Sequence, residues 1–127
     1  MLDKFTLEII SPDRSILKLE TNEVTIPSYE GQMGILKDHI PLITFLRPGI
    51  IKINDTKNFF FVEEGVAEFA NNNLLILTST AKDNSDLDKM SLENMISDAE
   101  KKIKNNVITD KQRYLLSYKI DTLKNLN

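Results

Sequence analysis

At 127 residues, with 41% apolar and 28% charged side chains, the chain has material for one domain, or one domain with a small appendage. A net charge of −3 argues against nucleic acid as the main partner, because phosphate binding wants a concentrated basic surface. The lack of Cys excludes a disulfide framework, a thiolate metal site and a Cys nucleophile, and a single His excludes a multi-His metal site. No apolar run reaches the roughly 20 residues of a membrane span. Met1 to Phe5 leads straight into a strand pattern, so a soluble chain without a signal or transit peptide is expected. The charge is uneven: residues 1–80 carry 7 Lys/Arg against 11 Asp/Glu, and residues 81–127 carry 9 against 8, which makes the tail the more basic part.

In chain order, Phe5, Leu7 and Ile9 alternate with Thr6 and Glu8 as a first strand, and Ser11-Pro12-Asp13 turns the chain. Leu17 and Leu19 mark a second strand, and Glu23 to Pro27 a third, with Pro27 and Ser28 expected to stop it. Gly31 and Gly34 then supply the backbone freedom of a tight corner. Met33 to Leu36 and Leu42 to Leu46 follow, Pro41 biasing Ile40 toward an extended conformation. Pro48-Gly49 has the form of a second turn, Pro preset for the first central position and Gly for the next. Ile50 to Ile53 closes at an Asn54-Asp55 turn; Phe59 to Val62 is too short for a helix and rich in β-favouring side chains. Gly65 breaks that run, and Val66 to Ala70 and Leu74 to Thr78 flank a hairpin tip of three Asn, 71–73, residues that tolerate left-handed conformations.

The period changes after Ala81. Residues 82–86 read as a polar linker, and Leu92, Met95, Ile96, Ala99 and Ile103 recur on one helical face, with Lys101, Lys102 and Lys104 favourably placed at its end. Thr109, with Gln112 three residues on, has the spacing of a capping box for a second helix, whose stripe is Leu116, Ile120 and Leu123, flanked by Leu115 and Leu126. The expected fold is an all-β sandwich or flattened barrel over residues 1–84, followed by an antiparallel two-helix hairpin over residues 85–127. Its stripes are thin and its linker polar, so the hairpin is expected to have low local stability and to be free to detach.

Chemistry-bearing patterns are sparse. His39 lacks a nucleophile and an orienting group, and Asp38, if on a strand, points to the other face; a structural or interface role follows. Glu63, Glu64 and Glu68 flank a Gly turn and read as a solvated hairpin end rather than an acid/base pair. Gly31 and Gly34 are followed by no Lys-Ser/Thr and no helix, so they do not form a phosphate loop. Phe59, Phe60 and Phe61, with only Lys52 and Lys57 nearby, read as packing residues rather than a base-stacking platform.

The stretch from Glu30 to Thr44 resembles the Glu-Gly-x-x-Gly-Ile/Val-Leu-Pro-x-His-x-Pro-Leu-x-Thr signature of the epsilon subunit of the F-type ATP synthase, called delta in mitochondria. Leu46 to Gly49 resembles its Leu-Lys-Pro-Gly, Glu64 to Phe69 its Gly-Gly-Phe-x-Glu-Val, and Asn72 to Ala81 its closing strand. The resemblance spans the whole chain. It implies a non-catalytic rotor subunit without a cofactor, in a proton-translocating complex. The sandwich would bind gamma and the ring of c subunits, and the hairpin would either fold onto the sandwich or extend into the alpha/beta head and block hydrolysis.

By that resemblance Glu30, Gly31 and Gln32 are expected at the c-ring, and His39, Pro41 and Leu42 at part of the gamma contact. Lys111, Arg113, Lys119 and Lys124 are expected to meet acidic surface on the head when the hairpin extends. Some members bind ATP through Ile/Leu-Asp-x-x-Arg-Ala; here Asp88 is kept, but Ser91 and Leu92 stand at the Arg and Ala positions, which implies weak or absent ATP binding. Ser28 stands where Gly is frequent, Lys37 where Pro is common, and Glu64 where a Gly pair begins. The implied location is the cytoplasmic face of a bacterial inner membrane, or alternatively a plastid or other energy-transducing membrane. The rival reading from another class is a free-standing β-sandwich module that binds a small ligand or nucleotide.

Overall fold

The computed structural model describes residues 3–54 and 56–127. Among them ten strands come first: β1 Phe5–Ile10, β2 Ser15–Thr21, β3 Glu23–Ser28, β4 Gly31–Leu36, β5 Leu42–Leu46, β6 Gly49–Ile53, β7 Phe59–Val62, β8 Gly65–Ala70, β9 Asn73–Leu77 and β10 Lys82–Asp83. A 3₁₀ turn, Asn84–Asp86, leads into helices α1, Lys89–Ile103, and α2, Asp110–Leu126. The expected strand body followed by a helical hairpin is the observed architecture.

The strands form one sheet in the order β10-β7-β6-β3-β5-β8-β9-β1-β2, with β4 added to β3. The sheet curls at β3. Val24 and Thr25 pair with β6, whereas Ser28, at the strand's end, pairs with Leu46 of β5. One half folds over the other, and their inward side chains meet in a single core that includes Leu7, Ile9, Ile26, Ile51, Phe69 and Ile76. Each of these is essentially inaccessible to water, a burial worth about 1.5–3 kcal/mol per large apolar side chain.

The strand therefore runs through the two residues expected to stop it. Pro27 is tolerated because its missing N–H faces the changeover from β6 to β5, where no ladder bond is lost; its carbonyl, on the same side, accepts from the Arg47 N–H at 2.9 Å. Ser28 is fully buried at the crossing, where a small side chain fits, and its Oγ accepts from the Glu30 N–H at 3.0 Å.

Two glycine expectations are corrected. Gly34 is not part of the corner; it lies in β4 opposite Thr25, and the corner's left-handed residue is Gly31, with φ of +120°. Gly49 is not a turn residue but the first residue of β6, pressed so close to Pro27 that a Cβ would lie 2.4 Å from the proline's own. Its bareness is required by packing. The Asn tip behaves as expected: Asn71 and Asn72 take φ of 51° and 58°, and Ala70 pairs with Asn73 across them. Of the expected 54–55 turn, residue 55 lies outside the described residues.

Residues 82–86 are not a free linker. Lys82 and Asp83 pair with Phe61 and Phe60 as β10. Asn84 accepts from the Phe59 N–H, and the Asp83 carboxylate caps the 3₁₀ turn through the Ser85 N–H. The hairpin then lies against the outer side of β6 and β7. Phe60 and Val62 point into the sandwich, while Phe61 points outward into a second apolar cluster with Leu87, Leu92, Ile96 and Leu123. The run Phe59 to Val62 is apolar throughout because β7 is covered on both faces. Thr109 and Gln112 form the expected capping box at the start of α2.

Candidate functional site

The surfaces that can act are on the outside of the body. At the β3–β4 tip, Tyr29 and Glu30 turn the chain between the paired Ser28 and Gly31, and the polar group Glu30, Gly31 and Gln32 projects as one corner. Glu30 and Gln32 are exposed. His39, Pro41 and Leu42 lie at the other end of β4, about 20 Å away for a six-residue strand. The two groups of expected contact residues thus mark different ends of the molecule.

Asp38 and His39 are in a loop, not on a strand. Asp38 takes a left-handed φ of 65°, its N–H donates to Asn72 Oδ1 at 2.7 Å, and Asn72 Nδ2 donates back to Asp38 Oδ1 at 3.0 Å. This reciprocal pair ties the loop to the β8–β9 tip. The His39 ring meets Phe69 edge to face at 5.9 Å, and its Nδ1 lies 2.8 Å from the Ile40 carbonyl. Pro41 is exposed, whereas Leu42 packs inward on the core.

Sequence reasoning missed a bare apolar surface. Along β5, Leu42 and Leu46 face the core, while Ile43 and Phe45 point outward and are 68% and 63% exposed. Phe45 is directly opposite Val66, Val66 opposite Leu77, and Leu77 opposite Ile10, so these four share one outer face across four strands. Tyr29 and Pro12 join them around a groove of about 910 Å³. The signal was present: β5 and β9 carry apolar residues at both parities, and a strand apolar on both sides wants cover on both.

The hairpin covers the outer side of β6 and β7, with the start of α2 reaching the rim of this groove at Lys111, and is fastened by more than its apolar cluster. Lys119 Nζ bridges to Glu63 Oε1 at 2.8 Å, so Glu63 belongs to a docking contact rather than a wholly solvated turn. The Glu63-Glu64 turn is itself held by Thr80 Oγ1, which accepts from both N–H groups, and by Thr78, which donates to the Glu64 carbonyl. The Arg47 guanidinium stands 3.9 Å over the Tyr118 ring and donates to the Tyr114 hydroxyl at 3.3 Å.

The four basic residues expected to act together are not gathered. Lys119 is engaged with the sandwich, Lys124 with Glu100 at 3.4 Å, and Arg113 with the Ile103 carbonyl at 2.6 Å. Lys111 is exposed and borders the groove beside Phe45. Asp88 is the N-cap of α1, accepting from the Ser91 N–H at 2.7 Å; that bond holds its carboxyl below the usual range.

A strand-built body with a helical pair docked on one outer face and an apolar surface on the other has the architecture of an assembly subunit. A family model described as the β-sandwich domain of the ATP synthase delta/epsilon chain matches residues 4–84. An ATP synthase epsilon chain of Pelagibacter ubique is 47% identical over 130 aligned positions covering 100% of both chains. Two solved assemblies contain chains of the same fold. One is the Euglena gracilis mitochondrial ATP synthase OSCP/F1/c-ring, with a TM-score of 0.77 at 22% identity, covering 99% of this chain and 81% of that one. The other is the central stalk and c-ring of the Tetrahymena thermophila mitochondrial ATP synthase, with a TM-score of 0.66 at 16% identity, covering 98% and 96%. The chain belongs to the ATP synthase delta/epsilon family, as a non-catalytic chain of that complex. Among the described residues no helix is long and apolar enough to cross a membrane.

Proposed function

We propose that the chain is a central-stalk subunit of a proton-translocating F-type ATP synthase, carrying torque between the c-ring and the catalytic head at an energy-transducing membrane, on the cytoplasmic face of a bacterial inner membrane. The observation that carries this is the bare apolar face of Ile43, Phe45, Val66 and Leu77 on a sandwich whose other outer face is already filled. A contiguous apolar surface of this kind is a docking surface. The gamma shaft lies along β5, from the loop of His39 and Pro41 to Phe45, with Leu42 setting the strand's position from inside. The c-ring meets the corner of Glu30, Gly31 and Gln32.

Residues 85–127 are the regulatory unit attached to the 1–84 sandwich. Release from the sandwich frees Lys119 from Glu63, and parting of α1 from α2 frees Lys124 from Glu100 and Arg113 from the Ile103 carbonyl; with Lys111 they engage acidic surface on the alpha/beta head and restrain hydrolysis. ATP binding by the hairpin is weak or absent: Asp88 is committed to its cap, and Ser91 offers no cation for a phosphate.

The test is co-purification with gamma, combined with ATP hydrolysis by the assembled complex. The Ile43→Asp/Phe45→Asp double variant is expected to lose gamma while keeping its strand circular dichroism; retention of gamma at wild-type level overturns the shaft contact. Removing residues 87–127 is expected to raise hydrolysis, and neutralising the four basic residues to raise it in part. Unchanged hydrolysis in both removes the regulatory reading.

A further inference from the structure

The apolar cluster anchors the far half of α2, where Ile120 and Leu123 are buried; the near half carries no buried residue. What holds the near half is an aromatic group around one cation. Tyr114 lies parallel to Tyr29 of the β3–β4 tip, with centroids 6.3 Å apart and 7° between planes. Tyr118, one turn further along α2, meets Tyr114 edge to face at 4.9 Å. Arg47, just beyond β5, covers the Tyr118 ring and donates to the Tyr114 hydroxyl. Among the described residues Arg47 is in no ion pair with a carboxylate, so its charge is spent on these two rings. Its backbone N–H is bonded to the Pro27 carbonyl, which fixes the base of the side chain at the sheet's crossing.

We propose that Arg47 with Tyr29, Tyr114 and Tyr118 is a clasp that sets how often the near half of α2 leaves the sandwich. Two members come from the sandwich and two from α2, so every contact between the pairs is lost when the helix lifts. Each is modest at a partly exposed site, and together they share one cation, so they open as a unit rather than one at a time. The inference rests on the stalk reading only for its consequence in the complex, where a weaker clasp changes the restraint on hydrolysis.

The composition supplies the probe. The chain has three tyrosines and no tryptophan, and all three tyrosines are in the clasp, so its near-ultraviolet tyrosine signal reports this cluster. In the isolated full-length chain, Arg47→Met is expected to speed amide hydrogen exchange over residues 110–119 by roughly 3- to 10-fold and to flatten the tyrosine circular dichroism, with β1 and β9 exchange unchanged. Tyr118→Leu is expected to do the same, and the double variant to add little to either single change. Unchanged exchange in α2, acceleration in step with β9, or full additivity of the pair each overturns the clasp. Failure to bind gamma would sink the stalk reading and leave this exchange result standing.

Discussion

The two outer faces of the sandwich start from the same sequence pattern and end differently. On one, the outward Phe61 of β7 is sealed under Leu92, Ile96 and Leu123 and has no exposed surface. On the other, the outward Phe45 of β5 is 63% exposed beside Val66 and Leu77. Both strands are apolar at both parities, which says that each needs cover on both sides. The difference is the source of the cover: α1 and α2 supply it for β7, and nothing among the described residues supplies it for the outward side of β5.

Substituting the two phenylalanines is the strongest way to break this comparison. Phe61→Ala leaves a void in a closed cluster and is expected to cost about 3–5 kcal/mol, read from chemical denaturation, with hydrogen exchange in the helices rising first. Phe45→Ala removes a side chain that touches mostly water and is expected to stay within about 0.5 kcal/mol of wild type. Equal destabilisation by the two would mean that the faces do not differ in the way described. Phe45→Ala is nevertheless expected to weaken retention of gamma, a loss of binding without a loss of fold.

The strand body was legible because its signals are local. Alternation placed β1, Gly65 and the Asn tip punctuated β8 and β9, and Thr109 with Gln112 placed the start of α2. What was not legible depends on neighbours far away in sequence. Gly49 looks like half of a Pro-Gly turn, but its reason is Pro27, brought against it by the sheet's crossing. Residues 82–86 are polar enough for a linker, yet β7 presents an edge that Lys82 and Asp83 complete. Of the expected contact residues, Glu30 and Gln32 are exposed as the corner reading required, while His39 and Leu42 are held inward by Phe69 and the core. The Arg47 clasp left no local trace, since its members lie at 29, 47, 114 and 118.

A sharper form of the comparison asks whether the crossing that joins the two layers is rigid. Gly49→Ala drives a methyl group into the Pro27 ring, a backbone-bound neighbour that cannot swing aside. The expected cost is about 1–3 kcal/mol in denaturation, shared between both faces because β3, β5 and β6 all meet there. Gly34→Ala is the control: it faces only the end of the Glu23 side chain at 3.4 Å, an ordinary contact, and is expected to change stability little. Similar losses from both would remove the packing explanation for Gly49.

The smallest expected effect separates the hairpin-covered face from the bare one by pH. The Arg47 hydrogen bond holds the Tyr114 phenol below its ordinary value of about 10, with a smaller contribution from the Tyr118 hydroxyl; burial opposes them. The bond exists only with α2 docked, so the phenol loses its proton more readily in the docked form. Docking therefore gains as the pH rises through the lowered value, reaches its full gain above about 10, and loses that gain as the pH falls back through the lowered value. Tyrosinate absorbance is expected to begin rising at lower pH in wild type than in Arg47→Met. Over the same alkaline window, protease cleavage after Lys111 and Arg113 is expected to slow in wild type relative to the variant. An absorbance rise at the same pH in wild type and Arg47→Met would show that the Arg47 hydroxyl contact is not kept in solution.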